Sequence, residues 1–497
     1  MVRRTREQSS TALPDATTST TSLPYRESSR SEKSNSSSTS IASSYHPSSL
    51  RLATSSQTFD DPNAPPNPKT TVVHTSLLIP GDGEPRKDTS LVVQDGIIVY
   101  IGLKSEIPRK FLNAEPKTYT VPVLMPGLWD CHVHFGGEGL EPADWTTFLT
   151  THPASAGARL ARGCWETLQR GYTSVRDLAG FGCEIRQAVD DGTIIGPNIY
   201  SAGGALSQIA GHGDIFSLPA GEVYSNFGVR NLTPGHYGSK MMCICDGVDE
   251  VRRAVRLQIR RGARVIKVFA SGGVLSRDDD PKCQQFSDEE LRVIVEEAER
   301  QNRIVAAHVH GKPGILAAIR AGCKTLEHLS YADEEVMTLM KEKDIVYIGT
   351  QTVIKNALDT NGDGIPPQSW KKMKQVAGIA FSAYSLAIKS GVKCALGTDT
   401  APGSNYALEL ELAVKAGMTE LEAIKAATAN GPLTLGPQAP EKTGQLKVGY
   451  EADMIALEES PLEGNIKALQ NKEGITHVWK GGRLFKGPGV GPWGEEE

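Results

Sequence analysis

Residues 124–137, LMPGLWDCHVHFGG, decide the fold. An apolar run carries His132 and His134 two positions apart and then breaks into paired glycines. Side chains alternate faces along a strand, so residues two apart point the same way and both imidazoles can reach one cation. The same pattern, an apolar run ending in small turn residues, returns four more times. It holds Lys267 in RVIKVFASGG (264–273), His308 and His310 in IVAAHVHG (304–311), His328 in TLEHLS (325–330) and Asp399 in ALGTDTAPG (395–403). Parallel barrels assemble their sites from the carboxyl ends of different strands, which is where these side chains stand.

Working outward, eight strand candidates fall at 123–134, 173–177, 198–203, 264–270, 304–309, 325–329, 345–350 and 393–398. Between them lie segments of helical periodicity such as DEVRRAVRLQIRRGA (249–263) and SDEELRVIVEEAERQN (287–302), where Ser287 and Glu290 make a capping box. Strands alternating with helices across 123–436 predict an α/β fold, a (β/α)8 TIM barrel. A doubly wound open sheet would need a glycine-rich phosphate turn after its first strand, and no such turn follows.

Both flanks read as short β-structure. LVVQDGIIVYIG (91–102) is two apolar runs joined by Asp95-Gly96, a type I′ hairpin signal, and THVWKGGRLFKG (476–487) turns at Gly481-Gly482. Segments 66–122 and 437–497 are therefore expected to form one small β-sandwich domain. Residues 1–65 are dominated by Ser and Thr and cannot bury enough surface to offset their ordering entropy, so they read as a disordered tail. No apolar h-region follows MVRRTREQSS, so no secretory leader is evident, although a Ser- and Arg-rich transit peptide has this composition.

Bulk composition excludes several classes. Of 497 residues, 39% are hydrophobic and 22% charged, and the net charge of −5 offers no electrostatic attraction to nucleic acid or anionic membrane. No run is long and apolar enough to span a bilayer. The eight cysteines form no disulfide framework, and Cys243-Ile244-Cys245 reads as buried thiols rather than a metal site. A reducing, cytoplasmic setting follows.

The polar residues at the strand ends suggest a chemistry. Imidazole and carboxylate are ligands for zinc-type ions. A lysine inside an apolar strand is seldom buried alone, so Lys267 either pairs with a charge or is a neutral amine able to capture carbon dioxide as a bridging carbamate. Two divalent cations sharing a water would lower its pKa and polarise a substrate carbonyl. Asp399 would carry the proton from that water to a departing amine, unless it is only a turn or helix-cap aspartate. His212 in a glycine-rich loop, His310, Arg277, Arg176 and the Gly272-Gly273 turn are the candidates for substrate contact, the cations and backbone N–H groups suiting a carboxylate.

With these residues in place, the chain resembles the amidohydrolase superfamily in its binuclear, carboxylated-lysine form. The resemblance rests on the ordered set HxH, Lys, His, His, Asp and on VPVLMPGLWDCHVHFGG, THPASAGARLARGCWE, AGHGDIFSLPAGEV, ASGGVLSRDD, LEHLSYADEE and GQLKVGYEADMIALEE, and extends over about 70–495. It implies that His132, His134 and Asp399 hold a buried Zn2+, that His308 and His328 hold a more exposed one, and that N6-carboxylated Lys267 bridges them. It further implies a homo-oligomer, possible secretion, and hydrolysis of N-acyl amino acids and dipeptides. The amide joining phenylalanine to an aromatic isocoumarin acid is among these. The same metal set also serves cyclic amide hydrolysis of the dihydropyrimidinase or imidazolonepropionase kind. The segments 136–150 and 346–364 border the expected mouth and would set substrate choice.

Overall fold

The computed structural model describes residues 69–137, 147–230 and 241–495. The expected tail (1–65) and most of the 136–150 insert lie outside these.

The strands, in chain order, are β1 (Thr70–Leu78), β2 (Arg86–Gln94), β3 (Ile97–Gly102), β4 (Lys117–Pro126), β5 (Leu128–Val133), β6 (Tyr172–Asp177), β7 (Asn198–Ser201), β8 (Ala205–Ser207) and β9 (Met242–Ile244). They continue with β10 (Ile266–Phe269), β11 (Val305–Val309), β12 (Thr325–His328), β13 (Val346–Ile348), β14 (Cys394–Ala395), β15 (Met454–Leu457), β16 (Ile475–Lys480) and β17 (Arg483–Lys486).

Eight of these make the barrel. β5, β6 and β7 pair in parallel, as do β10 through β14. The Arg264 N–H donates to the Ser201 carbonyl at 2.8 Å, linking β7 towards β10. The ring closes where the Cys131 N–H meets Leu396 O at 2.8 Å and the Asp399 N–H meets His132 O at 2.7 Å. β5, β6, β10, β11 and β12 are buried at every position, as strands covered on both faces must be. β8 and β9 are an excursion that the sequence does not announce: β8 pairs with β10 at Leu206 and carries β9 on its far side.

The two flanks form one seven-stranded sheet in the order β17-β16-β15-β4-β1-β2-β3. The run read as a single strand, 123–134, breaks at Gly127: its first part completes β4 in this sheet and its second part opens the barrel as β5. Both expected hairpins form. Asp95 and Gly96 take φ of 48° and 82°, and Gly481 and Gly482 take 56° and 77°, the left-handed pairs that a type I′ turn demands. The two turns also touch, since a Cβ on Gly96 would lie 2.7 Å from Gly481 O. The capping box at Ser287 and Glu290 starts the helix Asp288–Glu299 as the sequence indicates.

Candidate active site

Strand ends place all six expected side chains around one cavity of about 260 Å3. His132 lies near the end of β5 and His134 just follows it, Lys267 sits within β10, His308 within β11 and His328 at the end of β12, while Asp399 follows β14. The backbone there is strained: His328, Leu329, Thr350 and Asp399 take φ of 72°, 51°, 48° and 58°. Non-glycine residues in this region cluster where the surroundings over-determine them, commonly at functional sites.

The imidazoles are fixed through one nitrogen each. His132 Nδ1 lies 2.8 Å from Glu327 Oε2, His134 Nδ1 3.1 Å from Ala179 O, His310 Nδ1 2.7 Å from Ser330 Oγ and His328 Nδ1 2.7 Å from Thr350 Oγ1. On the opposite side of these rings, Asp399 Oδ1 stands 3.5 Å from His132 Nε2 and 2.9 Å from His134 Nε2. His308 Nε2 is buried without a hydrogen-bond partner, which is costly for a polar atom unless something else occupies it. Ligand atoms of His308, His310 and His328 lie within 4.8 Å of one another, and so do those of His132, His328 and Asp399. Each group, one of them with an orphaned nitrogen, suits a metal ion, and the single available nitrogen of His328 can serve one of them at a time.

Electrostatics prepare the donors. Burial, reinforced by Lys267, pushes His132 down to about 4, and burial with the neighbouring His212 pushes His310 down to about 3. Burial and the surrounding histidines hold His308 well below the ordinary value, and His328 is likewise depressed, chiefly by burial. These imidazoles are neutral near pH 7 and offer lone pairs. Burial alone would raise the Asp399 carboxyl, but His132 and His134 override it and keep it ionised. Lys267 is 1% exposed, and burial brings its ammonium down to about 8 against the pull of Glu327 and Asp399.

Beneath the candidate ligands lies a layer that the sequence does not assign. Arg176, a candidate for binding a substrate carboxylate, is fully occupied elsewhere. Its guanidinium reaches both Glu327 oxygens at 2.9 and 3.0 Å, Cys131 O at 2.6 Å and Thr325 Oγ1 at 3.0 Å. Glu327 in turn orients His132. Burial opposes the charge on Glu327, yet Arg176 and His132 hold it down at about 2. Removing one partner of such a pair strands the other, so Arg176→Met is expected to cost about 3–5 kcal/mol of stability. Chemical denaturation checks this, and a loss below about 1 kcal/mol would contradict the pairing. Asp130, also unassigned, accepts from the His132 N–H at 2.9 Å and from Thr398 Oγ1 at 2.7 Å, tying β5 to the loop after β14.

The remaining candidates divide. His212 and His310 line the cavity, and His212 stacks on His308 with centroids 4.3 Å apart. Arg277 is exposed and outside the cavity lining. The Gly272-Gly273 turn does not offer its N–H groups, because Gly272 donates to Cys283 O at 3.0 Å and Gly273 to Asp279 Oδ2 at 2.6 Å. Gly273 instead makes room: a Cβ there would lie 2.0 Å from His212 Nδ1. Gly273→Ala is therefore expected to lower turnover by up to ~10²-fold through displacement of His212, with bound metal unchanged. Steady-state kinetics beside metal analysis checks it. His152, unassigned from sequence, caps the helix Pro153–Gln169 through an Ala154 N–H to Nδ1 bond of 3.2 Å.

The cavity's other wall is apolar. Met241 precedes β9 and Met242 opens it, Phe269 comes from β10, Val274 and Leu275 from the loop after β10, and Val353, Ile354, Met373 and Val376 from the two helices that follow β13. Periodicity cannot reveal this wall, since it gathers from segments more than a hundred residues apart. Segment 346–364, expected to border the mouth, contributes Thr350, Val353 and Ile354. Seven of the eight cysteines are buried, and only Cys283 is exposed.

An eight-stranded parallel barrel with histidines, a carboxylate and a buried lysine at one mouth defines a barrel hydrolase with a site able to hold metal ions. The chain belongs to the amidohydrolase family, whose model matches residues 123–485. It is 65% identical over 429 residues to ochratoxinase from Aspergillus niger, covering 86% of this chain and 89% of that protein. The crystal structure of A. niger ochratoxinase superposes with a TM-score of 0.83 at 64% identity, over 86% of this chain and 98% of that one. A prolidase complexed with N-methylphosphonate-L-proline is similar at 30% identity and a TM-score of 0.74, over 84% and 100% of the two chains. The chain is thus a hydrolase acting on amide bonds. No helix among the described residues is long and apolar enough to cross a membrane.

Proposed function

We propose that this chain releases an amino acid from N-acyl amino acids bearing a bulky aromatic acyl group, converting ochratoxin A to phenylalanine and ochratoxin alpha, with carboxypeptidase- or dipeptidase-like activity on related amides. The observation that carries this is the union of six metal-suited side chains with a broad apolar wall in one cavity. The relative's name supplies the particular substrate, and the wall of Met241, Met242, Phe269, Val274 and Met373 suits its aromatic portion.

In this reading His132, His134 and Asp399 would hold one Zn2+, His308 and His328 would hold another, and Lys267, carboxylated by carbon dioxide, would serve both. Bound there, the ions supply Lewis acidity for the carbonyl and acidify the attacking water. Burial brings Lys267 down to about 8, so that a fraction of its amine is neutral near pH 7 and able to take up carbon dioxide. Glu327 holds the His132 ring with Nε2 towards the site, and Thr350 does the same for His328. The low basicity of Asp399 keeps it a carboxylate until the reaction begins. It then accepts the proton of the water that adds to the carbonyl carbon and passes it to the amine nitrogen as the C–N bond breaks. The apolar wall seats the acyl group, while His212 and His310 meet the polar part of the substrate. The assembly is proposed to be a homo-oligomer, which sedimentation would measure.

Incubating the purified chain with ochratoxin A, a panel of N-acyl-phenylalanines and a hydantoin, while counting bound zinc, tests the reading. Release of phenylalanine with about two zinc ions per chain is expected. Ring opening of the hydantoin without amino-acid release would replace this reading with cyclic amide hydrolysis of the dihydropyrimidinase or imidazolonepropionase kind.

A further inference from the structure

Behind His212 lies a polar assembly that the amidase chemistry above does not use. His212 Nδ1 is 2.8 Å from Ser276 Oγ and 3.7 Å from Asp279 Oδ2. Ser276 Oγ donates its proton to Asp279 Oδ1. Lys372, reaching down from the helix Pro367–Lys389, donates to Asp279 Oδ1 at 3.0 Å, Asp279 O at 3.0 Å and Gly273 O at 2.7 Å. Ser369 of the same helix donates to Leu275 O at 2.8 Å and Ser276 O at 3.0 Å. The backbone N–H of His212 is tied to Gln285 Oε1 at 2.9 Å. Asp279 has a 2% exposed side chain and Ser276 is buried, and neither lines the cavity, whereas His212 does. A chain of bonds thus runs from an anchored helix, through the wall, to the ring that stacks on His308.

The order of donors fixes the ring's tautomer. The hydroxyl of Ser276 has one proton, and the anionic Asp279 takes it. Ser276 can therefore only accept from His212, so Nδ1 carries the hydrogen and Nε2 carries the lone pair. Nδ1 is directed at the wall, which leaves Nε2 as the acceptor of a cavity-lining ring. An acceptor exchanges its resting partner for a ligand's donor on binding.

We propose that Lys372, Asp279 and Ser276 are positioning residues that hold His212 with Nε2 as a hydrogen-bond acceptor for the N–H of the scissile amide, so that the site selects secondary over tertiary amides. This rests on the amidase reading above. As water adds to the carbonyl, the amide nitrogen turns from planar to pyramidal. An acceptor on its N–H raises electron density at that nitrogen and readies it for the proton brought by Asp399. A tertiary amide, such as an N-acylproline, has no such hydrogen to offer.

Two measurements on the full chain test this. In the first, kcat/KM is compared for an N-acyl-phenylalanine and its N-methyl counterpart. The preference for the N–H substrate is expected to fall about tenfold in Ser276→Ala and in Asp279→Asn, the size of one hydrogen bond, and less in Lys372→Met. Zinc content should stay near the parent's in all three. Ser276→Ala should also keep the parent's melting temperature, whereas Asp279→Asn and Lys372→Met are expected to melt lower because each strands a buried partner. A folded Ser276→Ala or Asp279→Asn that keeps the parent's preference, or loses both substrates equally, overturns the proposal. The second needs no turnover: 15N resonances of histidine-labelled protein, with His212 assigned by loss in His212→Gln, should report the Nδ1–H tautomer. They should move towards Nε2–H in Asp279→Asn. An Nε2–H tautomer in the parent overturns the proposal even if amide hydrolysis is intact. A parent with the Nδ1–H tautomer but no amide hydrolysis defeats the amidase reading and this proposal with it.

Discussion

Lys267→Ala is expected to fold, to retain at most about one metal ion per chain, and to lose at least ~10³-fold in kcat/KM, comparable to removing a key electrostatic contact from an active site. The reason is the reading proposed above: Lys267, buried within β10 and lining the same cavity as the candidate ligands, supplies the carboxylated amine, and alanine supplies none. Burying an ammonium is costly unless it is well paired. The metal-free variant should therefore melt no lower than the metal-free parent, although it is catalytically dead. Short carboxylic acids that enter the vacated space should restore part of the metal content and rate. Near-normal turnover without such additives would show that Lys267 bridges nothing and that its burial serves packing. Inductively coupled plasma analysis, thermal melts and kinetics on one preparation decide the matter.

Asp399→Asn is expected to separate binding from turnover. The amide preserves shape and can still contact His134, but it no longer offers a carboxylate to accept a proton. A fall of ~10²–10⁴-fold in kcat, with some metal retained, is the range for losing a general base. The ionised carboxylate is also what holds His134 above its ordinary basicity against the opposing effect of burial. In the metal-free variant His134 should therefore become less basic than in the metal-free parent, visible in an NMR titration of its ring. A rate within about twofold of the parent would mean that another group moves the proton.

The barrel was legible because its grammar is local. Each of the eight strands is a short apolar run closed by small residues, and all eight appear close to their expected positions, β13 and β14 being trimmed at their ends. The candidate ligands were legible because they stand at those strand ends. Glu327 escaped because simple alternation opposes it to its neighbour His328, whereas the φ of 72° at His328 turns the backbone just where the two side chains part. Arg176 was read as a substrate contact because its charge was visible and its buried acceptors on Cys131, Thr325, Glu327 and Thr434 were not. The apolar wall and the assembly of Ser276, Asp279 and Lys372 join residues from distant loops and one long helix, which sequence periodicity does not register.

The seven-stranded sheet has a consequence for how the protein is made. β4 is flanked by β1, synthesised before it, and by β15, whose pairing runs from Met454 opposite Pro126. At a translation rate of ~5–20 residues/s, β4 waits roughly 15–65 s on the ribosome for that neighbour. Throughout that interval its Val123, Leu124 and Met125 edge stands open, beside a barrel still gathering its strands. Nascent chains stalled before β15 should therefore recruit chaperones and cross-pair with one another, and release of the final strands should end both.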